Sequence, residues 1–314
     1  MRDFLAGTIL PAFDNSRLRK LMDASHLPGG IAFTTDSYVV DPIVFPGGDI
    51  GRLAVNGTVN DLVVSGAVPR FLSLGLIIEE GLDWDVLKRI LVSIKKAAKA
   101  AGVQIVTGDT KVVNQGQGDK IYINTAGIGK VIARPRPARI RPGDKIIVTG
   151  TLGEHSLAIL TARGDFGLEA KTKSDCAPLT FLLPFWKKGV LWMRDITRGG
   201  LATILSELAA ESRYPLLIEE AQFPLSRSVR AAADLLGIDP LYLACEGRAV
   251  LVVPGNKAGD ILQKIKKNPL GRRAAVIGVA EKKIGRPGEL ILRTSAGGLR
   301  LLEPLTSELL PRIC

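Results

Sequence analysis

The chain has 314 residues, 46% of them hydrophobic and 23% charged, the balance of a soluble globular protein long enough for two domains of ordinary size. Its longest apolar stretches, Phe71 to Ile78 and Ala249 to Pro254, fall far short of the roughly 20 residues that cross a bilayer, and the start MRDFLAG has no basic stretch leading into an apolar core, so a cytoplasmic protein is expected. The excess of 42 basic over 31 acidic residues fits nucleic acid, an anionic ligand or an acidic partner; but the basic residues are dispersed, no RNP-like pattern or zinc finger accompanies them, and aromatics at 5% leave few stacking platforms, so no nucleic-acid partner is expected.

In chain order, Ile31 to Thr35 reads as a strand and ends at Asp36 in FTTDSYVV. The turn PGGDIG, Pro46 to Gly51, leads into a helical segment, Ile50 to Val64. That segment carries Asn56, Asn60 and Asp61 among aliphatic residues, with a glycine and β-branched residues that a purely structural helix disfavours, so its polar positions ask for a ligand. Phe71 to Ile78 reads as the next strand, with Glu79 and Glu80 at its end. The clearest helix is Trp84 to Ala101: Asp83 fits an N-cap, Leu87, Ile90, Leu91 and Ile94 form an apolar stripe, and Gly102 stands where a C′ glycine belongs. Val103 to Thr107 and Ile121 to Ala126 are further strands, the first leading to Asp109 in VTGDTKVV.

Three prolines and four arginines in ARPRPARIRPGD, Ala133 to Asp144, exclude a regular helix and mark a domain boundary. The expected division is 1–139, 140–303 and a tail, 304–314. Beyond the boundary the alternation of strand and helix resumes with Lys145 to Thr149, Leu216 to Glu219, Ala249 to Val253 and Ala274 to Val279. RDITRGG, Arg194 to Gly200, opens a helix over Leu201 to Glu211 and contains Asp195. The last residues, EPLTSELLPRIC, have two prolines and no sustained periodicity, which predicts a tail; from Pro304 it spans about 35 Å at roughly 3.3 Å per residue when extended.

Four aspartates, Asp36, Asp61, Asp109 and Asp195, thus stand at the ends of apolar runs or in turns rich in Ser, Thr or Gly. Each fits a cap or an Asx-turn when taken singly; as a recurring set they are hard oxygen ligands of the kind that bridge Mg²⁺ to phosphate. The two glycine turns offer backbone N–H groups to an anion, yet neither a GxxxxGK[ST] nor a GxGxxG after a strand occurs, which disfavours a P-loop ATPase and a Rossmann dehydrogenase. The three cysteines are too far apart for a disulfide framework or a CxxC site, and Cys176 and Cys245 read as small buried residues. Cys314 is different: a thiol on the last residue of a proline-flanked tail reads as exposed and mobile, suited to a covalent carrier, and it is too close to the end for a CaaX signal.

The run TDSYVVDPIVFPGGDIGRLAVNGTVNDLVVSGAVPRFLSLGLIIEEG, then VTGDTKVV, RDITRGGL, CEGRAV and the terminal PRIC resemble, in this order and over nearly the whole chain, the HypE family of hydrogenase maturation factors. That family lies within the PurM-like (aminoimidazole ribonucleotide synthetase-like) class. The resemblance implies a mixed α/β, two-domain PurM-like fold, whose N-terminal domain pairs into a homodimer with a β-barrel at the interface, followed by a C-terminal α/β domain and a flexible C-terminal tail. It implies ATP and Mg²⁺ as cofactors and an ATP-dependent dehydration of a carbamoyl group on Cys314 to a thiocyanate. The carbamoyl group comes from the carbamoyltransferase HypF, and the cyanide passes to iron on the HypC–HypD complex, destined for [NiFe]-hydrogenase.

Residue by residue, the resemblance places Asp36, Asp61 and Asp109 at the metal and phosphate, with Asn60 and Thr110 as neighbouring hydrogen-bonding groups, Lys111 as a cation on phosphate or the carbamoyl oxygen, and Asp195 and Arg198 as the second domain's share of the site. Glu246 is the expected base, acting with Lys111 on the substrate carried by Cys314. MDASHLPGG, Met22 to Gly30, matches loosely and makes Asp23 a minor ligand candidate. The family's His-Gly-x-Gly-Gly segment is not in this sequence, so weaker ATP binding or a more open site is expected. Two other readings compete: a PurM-like enzyme acting on a small molecule, of the selenophosphate synthetase or thiamine phosphate kinase type, which has no need of Cys314, and a basic scaffold without catalysis.

Overall fold

The computed structural model describes residues 5–13, 15–164, 167, 171–305, 310 and 312–314. In the first half, β1 (Ser25–Leu27) and β2 (Ile31–Tyr38) are followed by a short ribbon of β3 (Val44–Phe45) and β4 (Gly48–Asp49), then by α1 (Ile50–Val64), β5 (Ala67–Glu79), α2 (Trp84–Ala101), β6 (Gln104–Val113) and β7 (Ile121–Val131). Five of these strands form a sheet in the order β1-β2-β7-β5-β6, with β5 and β6 parallel and the other pairs antiparallel. The sheet is open within one chain, so the expected barrel is not closed by these strands alone.

Helix α2 starts and stops where its capping residues predict. The Asp83 side chain accepts the N–H groups of Asp85 and Val86, and Gly102, at φ 72°, returns its N–H to Ala98 and Lys99. Leu87, Ile90 and Ile94 are buried as expected, whereas Leu91 is 42% exposed: the buried stripe continues through Ala97, Ala98 and Ala101 instead. Helix α1 is apolar nearly all round because it is covered on all sides; Leu53, Val55, Val59, Leu62 and Val63 are inaccessible to solvent.

The second half contains β8 (Lys145–Val148), α3 (Glu154–Arg163), β9 (Trp192–Asp195), α4 (Gly200–Glu211), β10 (Leu216–Glu219), α5 (Arg227–Leu236), β11 (Ala249–Val253), α6 (Ala258–Lys266), β12 (Ala275–Ala280), β13 (Leu290–Arg293) and β14 (Leu299–Leu302). Their seven strands run β14-β13-β10-β12-β8-β11-β9. Every residue of β11, the run AVLVV, is buried, as a strand covered on both faces requires. One apolar cluster joins the halves: α1 and α2 pack into the same core as β8, β11 and α6, and the Trp186 indole N–H donates to the Val63 carbonyl at 2.9 Å. Asp36 near the end of β2, Asp61 on α1 and Asp195 at the end of β9 are therefore brought together at a packed junction.

Candidate active site

At that junction lies a cavity of about 290 Å³ lined by Asp36, Tyr38, Gly57, Asp61, Asp195, Arg198, Glu246 and Cys314, with Ser37 and Thr197 at its edges. Six of the residues singled out from the sequence thus meet in one place. The Tyr38 hydroxyl, buried beside α1, donates to Asp36 Oδ2 at 3.1 Å, and Gly57 is the residue that makes room for it: a Cβ there would lie 2.2 Å from the tyrosine oxygen. Thr34 donates to Asp61 Oδ2 at 2.8 Å. Neither Thr34 nor Tyr38 carries a sequence signal beyond its place in a strand that ends in aspartate.

Carboxylate oxygens of Asp61, Asp195 and Asp23 lie within 4.8 Å of one another. Burial pushes the Asp61 carboxyl well above the usual carboxylate range, and Asp36, Asp195 and Asp23 push it further. Asp195 is pushed up to about 8, by burial first and by Asp23 next. Three hard oxygen donors, desolvated and mutually repelling, form a set that a divalent cation such as Mg²⁺ would relieve. The trio differs from the expected metal set of Asp36, Asp61 and Asp109: it takes in Asp23 and Asp195 and leaves out Asp36 and Asp109. Asp23 is fixed by Arg194, whose Nε donates to it at 2.8 Å while Nη1 meets Glu207 at 2.7 Å.

A pH effect follows. Between the ordinary aspartate range and about 8, the native chain holds a proton on Asp195 that the unfolded chain has released, so stability falls as pH rises through that window. In metal-free buffer, thermal melts from pH 5 to pH 8 are expected to show a falling Tm. The Asp195→Asn variant is expected to flatten this slope and to melt several degrees higher at pH 8.

Asp109, Thr110 and Lys111 are placed elsewhere. They lie on β6, exposed to solvent; Asp109 accepts from the Thr110 N–H at 2.9 Å and from Lys111 Nζ, which holds its carboxyl below the usual range. Asp109 and Lys111 line a second cavity, of about 340 Å³, which shares Ser37 and Tyr38 with the first. Asn60 lines neither of these two cavities. Its Nδ2 donates to the carbonyls of Ala177 and Glu246 and its Oδ1 accepts the Leu179 N–H, so its amide is spent on joining α1 to the second domain. Asn56, in turn, donates to the buried Cys176 thiol at 3.4 Å.

The two glycine turns also part ways. In PGGDIG, Asp49 caps α1 with its own side chain on Arg52 N–H, and the Pro46 carbonyl accepts the Ser174 N–H, so that turn serves the domain contact rather than an anion. The start of α4, at Gly199 and Gly200, has no side-chain cap and directly follows Thr197 and Arg198, which line the cavity.

Glu246 is 4% exposed, and its Oε1 has no hydrogen-bond partner among the described residues. Its main chain is held by Asp175, which accepts the Glu246 N–H at 3.0 Å and is itself 3.4 Å from Arg248. Burial pushes the Glu246 carboxyl well up, Asp195, Asp175 and Asp36 add to this, and Arg198 opposes it. Cys314 reaches the same cavity, with Arg198 Nη2 3.6 Å from its Sγ. Of the expected tail 304–314, residues 306–309 and 311 lie outside the described residues; the last three residues are docked. The Val39 N–H donates to the Cys314 carbonyl at 3.3 Å, the Asp41 N–H donates to the Arg312 carbonyl at 3.2 Å, and Ile313 is 4% exposed. The thiol is thus docked and half-buried rather than free in solvent, and burial, with Glu246 beside it, pushes it up to about 12.

Family models of AIR synthase related proteins match both halves, the N-terminal domain over residues 22–131 and the C-terminal domain over residues 141–286. The chain is 45% identical to the carbamoyl dehydratase HypE of Rhodobacter capsulatus, covering all of this chain and 95% of that protein. Among solved structures it resembles a HypE–HypF complex with a TM-score of 0.91 at 39% identity, over 96% of this chain and 99% of that one. It also resembles a HypE in complex with ATP, with a TM-score of 0.86 at 45% identity, over 100% and 96% of the two chains.

Proposed function

From the premise that this chain belongs to the AIR synthase related family, in its HypE branch, we propose that it is an ATP-dependent carbamoyl dehydratase whose substrate is its own C-terminal cysteine. The observation that carries this reading is the Cys314 thiol seated in one cavity with Glu246, Arg198 and the buried aspartates. A kinase for a small molecule would leave that docked terminus without a task.

The chemistry balances as follows. A carbamoyl group on Cys314 Sγ has a poor leaving group in its oxygen; transfer of the ATP γ-phosphoryl group to that oxygen, with loss of one N–H proton, turns it into phosphate. Loss of the second N–H proton and cleavage of the C–O bond then release phosphate and leave the thiocyanate. Glu246, dry and with an unpartnered oxygen, is the base for these protons. Arg198, at the sulfur and at the open end of α4, orients the group and offsets charge on the phosphoryl oxygens. Asp61 and Asp195, with Asp23 and Asp36 beside them, are the residues that would hold Mg²⁺, which neutralises phosphate charge. Asp109, Thr110 and Lys111 stand on the nucleotide side in this reading, at the adjoining cavity.

HypF is the donor of the carbamoyl group, and the HypC–HypD complex is the acceptor of the cyanide; the setting is the cytoplasm. No described helix is long and apolar enough to cross a membrane. The chain acts as a homodimer. On the sheet face away from α1, Phe33, Ile128 and Phe71 stand side by side across β2, β7 and β5, each at least 40% exposed, and along the adjacent edge strand β6 Val106 and Val112 are more exposed still. Such a contiguous apolar patch supports a partner, and a second copy would supply the strands that the open sheet lacks. Ile128→Asp is expected to convert a dimer into a monomer in size-exclusion chromatography with light scattering.

The function is tested by intact-protein mass spectrometry with C-terminal peptide mapping after incubation with HypF, carbamoyl phosphate and MgATP. The expected result is a carbamoyl adduct on Cys314 that loses one water only when this protein's ATP site is intact, as in the wild type but not in Asp61→Asn. An unmodified Cys314 in the presence of active HypF would sink the reading.

A further inference from the structure

The docked terminus is held by more than its two main-chain bonds. Residues 312–314 lie antiparallel to 39–41, and in that arrangement the Ile313 carbonyl points away from the strand that receives them. It is buried, and unpartnered it would oppose docking. His155, in the first turn of α3, meets it: Nε2 lies 2.8 Å from the Ile313 oxygen. The ring is set for this role by groups that do not belong to the tail. The Ile313 carbonyl can only accept, so the proton of the neutral ring stands on Nε2 and the Ser174 hydroxyl donates to Nδ1 at 2.8 Å, its oxygen in turn accepting the Cys176 N–H at 3.1 Å. The Phe45 ring meets the imidazole edge-on at 5.5 Å, and the Ser174 N–H is tied to Pro46. Burial, which holds His155 down at about 4, keeps the ring in that neutral form.

At the other end of α3, Arg163 makes the second hold. Its Nε donates to the Asp41 carbonyl at 2.5 Å and its Nη2 to the Arg312 carbonyl, so one guanidinium ties the tail to the strand that receives it. The bond falls at a demanding point, because Arg312 has φ 53°, the left-handed region that a non-glycine residue adopts only when its surroundings enforce it. The Arg312 side chain completes the attachment through the Val39 carbonyl, 2.9 Å from its Nε, and through Asp119.

We propose that His155 and Arg163 are positioning residues of the dehydration: a preformed clamp on α3 that reads the main-chain carbonyls of Ile313 and Arg312 and sets Cys314 beside Glu246. The inference rests on the reading of Cys314 as the substrate carrier. Neither residue touches the reacting atoms, and neither is needed while the terminus is out in solution receiving its carbamoyl group.

The clamp is tested on the full chain by the rate at which iodoacetamide alkylates each cysteine, resolved by peptide mass. Cys176 and Cys245, at 1% and 0% exposure, are internal reporters of unfolding. In Arg163→Ala and His155→Leu, Cys314 is expected to react roughly tenfold faster or more, as loss of a docking hydrogen bond implies, while Cys176 and Cys245 stay protected. His155→Gln, which keeps a donor near the Nε2 position, is expected to restore slow alkylation. In Arg163→Ala and His155→Leu, loading by HypF is expected to be at least as fast as in the wild type, because it takes place on the undocked terminus, while the single-turnover loss of water slows by a similar factor. Unchanged Cys314 alkylation in Arg163→Ala would overturn the clamp, as would faster alkylation matched by Cys176 and Cys245 in every variant. If wild-type Cys314 is never carbamoylated, the carrier reading fails, and the alkylation rates still decide whether the clamp exists.

Discussion

Cys314→Ala is expected to abolish both carbamoyl loading and thiocyanate formation, with no residual modification at any other site, as read by intact mass after incubation with HypF and MgATP. The loss is total because no other thiol can substitute. Cys176 is buried and pushed up to about 12, Cys245 is buried and pushed well up, and neither lines the cavity that holds Glu246. The melting temperature is expected to stay close to that of the wild type. The sulfur's hydrogen bond in the docked state is a 3.6 Å contact from Arg198, while Ile313 and the main-chain bonds that hold the terminus remain in the variant.

The docked thiol has a property that orders the reaction. At about 12, it is protonated at neutral pH and a poor nucleophile, so loading belongs to the undocked terminus, where the thiol is in water. Dehydration needs no thiolate, since by then the sulfur carries the carbamoyl group. The partly enclosed cavity that suppresses the first step is therefore suited to the second, because docking limits the access of water that would compete for the activated carbamoyl carbon.

Elements with local signatures were legible in the sequence. Both central helices lie where their patterns predicted, α2 bounded by Asp83 and Gly102 and α1 ending at Val64, and the strands β2, β5, β6, β7, β8, β10, β11 and β12 coincide with apolar or alternating runs. Strands β1, β9, β13 and β14 were not legible; at three or four residues they establish no period, and β8 and β10, equally short, were legible only as apolar runs in the strand and helix alternation. The meeting of Asp36, Asp61, Asp195 and Glu246 followed from the resemblance rather than from periodicity, because such contacts join distant segments and leave no local pattern. The same limit explains Asn60. A polar residue on a buried helix signals that something must satisfy it, but the sequence does not show whether a ligand or the neighbouring domain's main chain does so. His155 offered less still: a single histidine in a helical run reads as an ordinary core residue, and only the path of the terminus gives its Nε2 a partner. That Asp23 rather than Asp109 lies beside Asp61 and Asp195 has a related reason. VTGDTKVV has the stronger motif, yet β6 is an edge strand whose residues face solvent, whereas Asp23, in an irregular stretch before β1, is carried to the aspartates by Arg194 and by Thr34, which donates to its carbonyl.

Glu246→Gln is expected to leave loading intact and to stop the chain at the carbamoyl stage, slowing the loss of water by about 10²–10⁴-fold, the usual contribution of a positioned base. Glutamine keeps the size of the side chain, and the main-chain bonds of residue 246 to Asp175, Asn60 and Ala177 do not involve the carboxylate, so the cavity retains its shape. The substitution also removes a buried acid whose folded pKa lies well above its unfolded one. In the wild type the native state therefore holds a proton there that the unfolded chain has lost, and stability declines as pH rises through that range; the variant lacks this decline and is expected to melt higher at alkaline pH. The pH profile of the reaction separates catalysis from stability. With Glu246 as the base, the single-turnover rate rises with pH as the carboxyl, held up by burial and by Asp195, Asp175 and Asp36, gives up its proton, and that rising limb disappears in Glu246→Gln. A variant that loses water as fast as the wild type, or that keeps the rising limb at a lower rate, would assign the base to another group in the cavity. Tyr38 then becomes the next residue to test, since its hydroxyl is already hydrogen-bonded to Asp36.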